Sequence, residues 1–234
     1  MAAVGLGVLT ACTSTDPPTP PLATNRPASP SGPPPTSSSS ATATTPASAT
    51  STTTRGPTPS DGRPVEARLS VPDLNLSGLL VQPYEGWTDD GPGTAIQDRG
   101  VAAAPYGPRG GTGPGGIGNF QVTAHRTSST AAFRHLPDLR EGDVAHVDAE
   151  GIRYTYAVTE TRTTSFRSAA SLAEQRAAVP GRPGVPPTQA MITLSTCLTP
   201  EDRAAGNFWS DQYKNPEHRV DKIGVLVETA PAPA

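Results

Sequence analysis

The sequence predicts a mainly β domain, an antiparallel barrel or sandwich of short strands, preceded by a long segment with no core of its own. Three observations carry this. Apolar, β-branched runs with period-2 alternation recur between Gly, Pro and Asp turn signals. Only one stretch, Ser168 to Val179, has convincing helical character. The 28 Pro and 23 Gly of the 234 residues crowd unevenly, so that residues 16 to 64 are almost all Pro, Ser, Thr, Ala and Gly. Such a segment has too little apolar surface to offset its ordering entropy.

In chain order, Arg68–Pro72 and Leu74–Val81 read as two strands, with Pro72 confined to an edge or a break. Glu85 to Gly116 reads as loops around one or two short elements. Ile117–His125 is a strand that ends on an imidazole, and Arg126–Thr130 is a polar turn. Ala131–Leu136 is a short helical or turn segment, and Leu139–Asp143 a turn. Val144–Asp148 and Ile152–Thr159 form a hairpin about Glu150-Gly151. The helix stops at Pro180-Gly181. Met191–Cys197 is a strand with a thiol at its tip, followed by a turn (Thr199–Asp202) and a loop of about twenty residues before the last strand, Val220–Val227.

Residues 1–12 form a leader, 13–64 a tether, 65–229 the folded domain and 230–234 a tail. Leu9-Thr10-Ala11-Cys12 resembles a bacterial lipobox, which makes Cys12 the candidate lipid anchor and points to export. No Lys or Arg precedes this apolar run, which is too short to span a membrane. The tether has a root-mean-square reach of about 40 Å as coil and up to roughly 150 Å as extended polyproline. That scale carries a domain from a membrane into a cell wall. The net charge of −3 comes without any basic stripe, so nucleic acid is not an expected partner. The two cysteines, Cys12 and Cys197, flank the tether, which leaves Cys197 a free thiol.

A strand-tip cysteine is a candidate nucleophile, because rigid backbone fixes the sulfur and the next loop leaves room for a substrate. It needs a cationic neighbour to favour thiolate and a donor for the oxyanion. His125 and Arg219 also sit where strand meets loop. His135, His146 and His218 suit surface, packing or loop-lining roles better, and Arg203, in mid-loop, competes with Arg219.

These residues resemble the sortases. Thr193-Leu194-Ser195-Thr196-Cys197 matches the T-L-x-T-C signature, with Gly118-Asn119-Phe120…His125-Arg126 upstream and Arg219-Val220 downstream. Within that family the pattern resembles the actinobacterial class E enzymes. The resemblance implies a closed eight-stranded β-barrel and cysteine transpeptidation without metal or organic cofactor. It assigns Cys197 as nucleophile, His125 as acid and base, and Arg219 as the donor to substrate backbone and oxyanion. Ser195 and Thr196 shape the strand end, with Thr196 a pocket contact. The partners implied are the sorting signal of an exported protein and a peptidoglycan precursor or cross-bridge amine.

Two departures stand out: Ala124 precedes the histidine where the family commonly has Gly, and the Cys197–Arg219 loop is long and carries Phe208, Trp209 and Tyr213. Those aromatics either wall the substrate groove, Trp209 above all, or pin the loop to the barrel. The alternatives from other classes are an L,D-transpeptidase, whose S-x-G-C motif Leu198-Thr199 does not complete, and a surface lipoprotein that only binds peptides.

Overall fold

The structure, a computed structural model, describes residues 56–233. Eight strands close into a barrel: β1 (Ala67–Val71), β2 (Leu76–Glu85), β3 (Ala102–Tyr106), β4 (Gly118–Thr123), β5 (Val144–Ala149), β6 (Ile152–Ser165), β7 (Ala190–Cys197) and β8 (His218–Pro231). Their order around the barrel is β1-β2-β3-β4-β7-β8-β6-β5, and β5 pairs with β1 to close it. Three short helices decorate it: α1 (Gly91–Asp98), α2 (Ala169–Arg176) and α3 (Thr199–Ala204). Among the described residues no helix is long and apolar enough to cross a membrane.

The expected all-antiparallel pairing is corrected, because β2/β3 and β4/β7 are parallel. Parallel neighbours need a crossover rather than a hairpin. The chain supplies one through α1 and a second through the long excursion over β5, β6 and α2. The hairpin about Glu150-Gly151 is present, and both residues take the positive φ (50° and 78°) that a two-residue turn of that hand requires.

Helix α1 and strand β3 are two short elements within the stretch read as loops around one or two such elements. Helix α1 opens on Gly-Pro-Gly, a poor helical sequence, and forms because the Asp90 side chain accepts from Gly93 N at 2.8 Å while Pro92 fits the first turn. Thr199–Asp202, read as a turn, is the start of α3, with Pro200 in its first turn and Glu201 and Asp202 complementing the helix dipole. Hydrogen-bonded contact with the barrel begins before residue 65: Ser60 N donates to Gly115 O at 2.8 Å and Thr58 N to Thr229 Oγ1 at 3.1 Å.

The inner face is largely apolar, with the buried Lys222, opposite Leu194 in register, donating to the Pro137 and Leu139 carbonyls. Leu69, Val71, Phe120, Val122, Tyr156, Ile192, Leu194, Val220 and Leu226 fill it, joined by Phe133, Leu136 and Leu139 from the β4–β5 connection. The outer faces of β4, β7 and β8 carry Asn119, Gln121, Thr123, Thr193, Ser195 and Asp221, all buried under helix and loop. This polar layer seats α2. Asn119 Nδ2 donates to the carbonyls of Gln175 and Ala177, and Gln121 Nε2 to that of Arg176, so side chains satisfy carbonyls that the helix end leaves open. Gln175 in turn donates to Asp221 Oδ1 at 2.9 Å.

Candidate active site

Cys197 ends β7, and register places it directly opposite Arg219 on β8, so both side chains share the outer face of the barrel. His125 lies two residues beyond the last residue of β4, the parallel neighbour of β7. Cys197 and His125 line one cleft of about 470 Å³, bounded by α1, the β4–β5 connection, α3 and the Gln212–Pro216 part of the β7–β8 loop. Ala124 causes no backbone strain, since it is absent from the positive-φ positions, and its carbonyl accepts the Thr196 hydroxyl at 2.7 Å. That bond ties the tip of β7 to the residue before His125.

Arg219 is 1 % exposed. Its Nη1 is 2.8 Å from Asp89 Oδ2, an ion pair out of line for a hydrogen bond. Its Nη2 donates to Asn215 Oδ1 at 2.8 Å, and its guanidinium lies 4.6 Å from the centre of the Phe166 ring. Burial favours loss of the proton, but Asp89 and the surrounding acidic groups together outweigh it and hold the guanidinium charged. The Nε–H has no protein acceptor among the described residues. An unpartnered buried donor is costly, and such groups collect at functional sites.

Burial raises the Cys197 thiol above its ordinary pKa; the Arg219 charge pulls it down and Asp89 pushes it up again. The expectation of a lowered thiol pKa is therefore not met in the free protein, because burial outweighs the pull of the Arg219 charge, which Asp89 partly offsets.

Sequence reasoning missed several groups that shape the cleft. Asp98 Oδ1 is 2.8 Å from His125 Nε2, which gives the imidazole a carboxylate partner. Arg126 makes a two-point ion pair with Glu201 and donates to Cys197 O at 3.4 Å, fastening α3 to the strand tip. Asp89 and Asn215 grip Arg219. Only Arg126 carried a sequence signal, its place beside the histidine; the others stand in loops or a short helix with no period to mark them.

The remaining expected site residues fall elsewhere. Thr196 is fully buried with its hydroxyl committed to Ala124, and Ser195 is buried against Gln175. Both support the strand end, as expected, and neither is among the residues that line the Cys197 cleft, where Thr196 was expected as a pocket contact. Trp209 lines a smaller neighbouring cavity of about 270 Å³, with the Arg167 guanidinium 5.9 Å from its ring centre. It is Tyr213 that reaches the Cys197 cleft, while Phe208 is 77 % exposed and pins nothing. Arg203 lines the cleft but sits on α3, not opposite the thiol. His135 pairs with Asp138 and His146 with Thr155. His218, expected to line the loop, opens β8 with its Nδ1 2.6 Å from Asp202 Oδ1. The Cys12 anchor lies outside the described residues.

The SrtA sortase from Actinomyces oris superposes with a TM-score of 0.54 over 77 % of this chain and 89 % of its own, at 19 % identity. The SrtF sortase from Corynebacterium diphtheriae gives 0.52 over 76 % and 91 %, at 18 % identity. Sortase E from Streptomyces avermitilis gives 0.51 over 74 % and 93 %, at 22 % identity. These likenesses establish the barrel and do not separate one sortase class from another. No curated protein matches the chain. The model of the sortase domain matches residues 69–209, more than half of the sequence, and on that match the chain belongs to the sortase family.

Proposed function

We propose that the protein is a cysteine transpeptidase of class E type that cleaves an LPXTG- or LAXTG-like sorting signal and joins the exported protein to a cell-wall amine. The observation that carries this reading is the meeting of a strand-tip thiol with a buried, charged guanidinium opposite it in register and an imidazole on the same cleft. Cys197 Sγ attacks the carbonyl carbon of the signal threonine. The oxyanion takes a hydrogen bond from Arg219, whose Nε–H lacks a protein acceptor. As the tetrahedral intermediate collapses to a thioester, His125 gives a proton to the departing amine. It then removes one from the incoming peptidoglycan amine, which expels Cys197. Asp98 holds the ring through its carboxylate.

The raised thiol pKa has a consequence for this scheme. The resting sulfur is protonated at neutral pH, so the attacking thiolate forms only with substrate in place or with proton transfer to His125. The N-terminal residues complete the proposal: a leader with Cys12 as lipid anchor, then a proline-rich tether that holds the domain outside the membrane. Sortase membership sets aside the L,D-transpeptidase alternative. A barrel that only binds peptides differs in one measurable respect, since it forms no covalent adduct. Mass spectrometry of the protein after exposure to a sorting-peptide library is expected to show an acyl mass on Cys197, absent in Cys197→Ala. Binding without an adduct at any pH overturns the enzyme reading.

A further inference from the structure

We infer that Asp89, on the β2–α1 connection, is the positioning residue for Arg219, working as one clamp with Asn215 on the β7–β8 loop. The inference deepens the proposed mechanism and rests on its assignment of Arg219 as oxyanion donor. Asp89 Oδ1 accepts from Gln97 Nε2 of α1 at 2.7 Å, which leaves Oδ2 for Arg219 Nη1 at 2.8 Å. Asn215 Nδ2 donates to the Asp89 carbonyl at 3.0 Å, while its Oδ1 accepts from Arg219 Nη2 at 2.8 Å. Asn215 is itself fixed by Asp211, which accepts from both its backbone N and its Nδ2. The three side chains therefore close a ring. Nη2 is hydrogen-bonded and Nη1 is ion-paired, while neither Nη1 nor the Nε–H has an aligned hydrogen-bond acceptor among the described residues; the Nε–H has no charged partner either.

Two further features mark this as a built arrangement. Asp89 takes φ +59°, a left-handed backbone that is uncommon outside glycine and that persists only where the surroundings enforce it. Both partners of the pair are 1 % exposed at their side chains, so neither has water as an alternative. A flexible arginine left alone has many rotamers, and a donor misplaced by about an ångström loses much of its effect on the transition state. Asp89 touches no substrate in this scheme; it acts through Arg219.

The test is a double-mutant cycle with Asp89→Ala and Arg219→Met, read by peptide cleavage and by the pH midpoint of Cys197 alkylation. For cleavage, Asp89→Ala is expected to lower kcat by about 30-fold or more with KM within about 3-fold, and to add nothing further in the Arg219→Met background. Losses that multiply independently overturn the inference. For alkylation, which needs no substrate, Arg219→Met is expected to raise the midpoint in the otherwise native protein and to have a smaller effect once Asp89 is gone. Equal shifts in both backgrounds overturn it as well. The alkylation arm stands even if no peptide is cleaved, which would instead sink the proposed function. Asp89→Asn, which tolerates left-handed backbone and keeps an acceptor oxygen, is expected to recover part of kcat and guards against misfolding of the alanine variant. If the kcat of the alanine and asparagine variants simply follows their melting temperatures, the role of Asp89 is purely structural and the inference is overturned.

Discussion

The strands β4, β7 and β8 have two buried faces of opposite character. Inward they present Phe120, Val122, Ile192, Leu194, Val220 and Leu226; outward they present Asn119, Gln121, Thr123, Thr193, Ser195 and Asp221, and at the rim Cys197 and Arg219. The inner face is held by area removed from water, which is non-directional and tolerant of small shifts. On the outer face a buried polar group without a partner is costly, so much of its geometry is specified bond by bond: Thr193 to Asn119, Thr88 to Gln121, Thr164 and Gln175 to Asp221. The difference teaches where stability and chemistry are separated in this barrel. The sharpest break of that comparison removes the chemistry alone. Cys197→Ala is expected to lower thioester formation by about 10³-fold or more while the melting temperature holds, because a small side chain at the rim supports little of either face. A variant that loses its fold as well would place Cys197 with the core.

The converse break is Phe120→Ala on the inner face. A fully buried phenylalanine truncated to alanine costs about 3–5 kcal/mol, measured as a shift of the denaturant midpoint. Cleavage by the fraction that remains folded is expected to change little. Next in size is Arg219→Lys. A lysine cannot reach Asp89, Asn215 and the oxyanion together, so kcat is expected to fall by about 10²–10³-fold with the barrel intact. Arg203→Lys, on the exposed side of the cleft, is expected to stay within about 2-fold of the native rate. If Arg203 proves the sensitive position, the oxyanion donor belongs to α3 and the register argument fails.

A smaller effect tests the polar face itself. Asp221 is fully buried, and burial raises its carboxyl pKa above the ordinary carboxylate range, against the hydrogen bonds from Ser195, Thr164 and Gln175 and the charge of Arg219 that pull it down. Its folded-state pKa therefore exceeds the unfolded one. The stability it contributes is fully present below the unfolded pKa and is lost as pH rises through the folded value. Asp221→Asn is expected to flatten that decline and to leave stability at pH 7 unchanged or higher by about 1 kcal/mol, as urea titrations from pH 4 to 8 would show. A large loss at pH 7 would mean that the ionised carboxylate stabilises this layer.

How legible was this arrangement in one dimension? The alternation in Ile117–His125 and Met191–Cys197 marks strands and correctly sorts the inner apolar set. It says nothing of whether the other face meets water or a cover, since Asn119, Gln121, Thr193 and Ser195 look like solvent-facing residues until α2 is seen seated on them. One or two short elements were expected between Glu85 and Gly116, but their type and place were not legible, because Ala102–Tyr106 is mostly alanine with a proline and the first turn of α1 is Gly-Pro-Gly. The placement of Cys197, His125 and Arg219 at strand ends followed from their local patterns. Their anchors did not, because Asp89, Asp98 and Asn215 sit in segments whose conformation is fixed by tertiary contacts rather than by any repeating local pattern.

The finest adjustment on the polar face is the charge balance at the sulfur. Arg219 favours thiolate and Asp89 opposes it, while burial, larger than either, favours the protonated thiol. In the free protein, alkylation of Cys197 by iodoacetamide is expected to titrate above an ordinary cysteine, although the residue stands beside an arginine. A bound peptide that gives the Arg219 Nε–H an acceptor leaves the guanidinium charge in place and brings a reacting carbonyl to the sulfur. On the proposed mechanism, nucleophilicity is then set by proton transfer to His125 within the complex, not by a standing thiolate. A midpoint below the ordinary thiol range in the free enzyme would show that Asp89 does not neutralise Arg219 as their 2.8 Å separation implies. The outer face would then hold a preformed nucleophile.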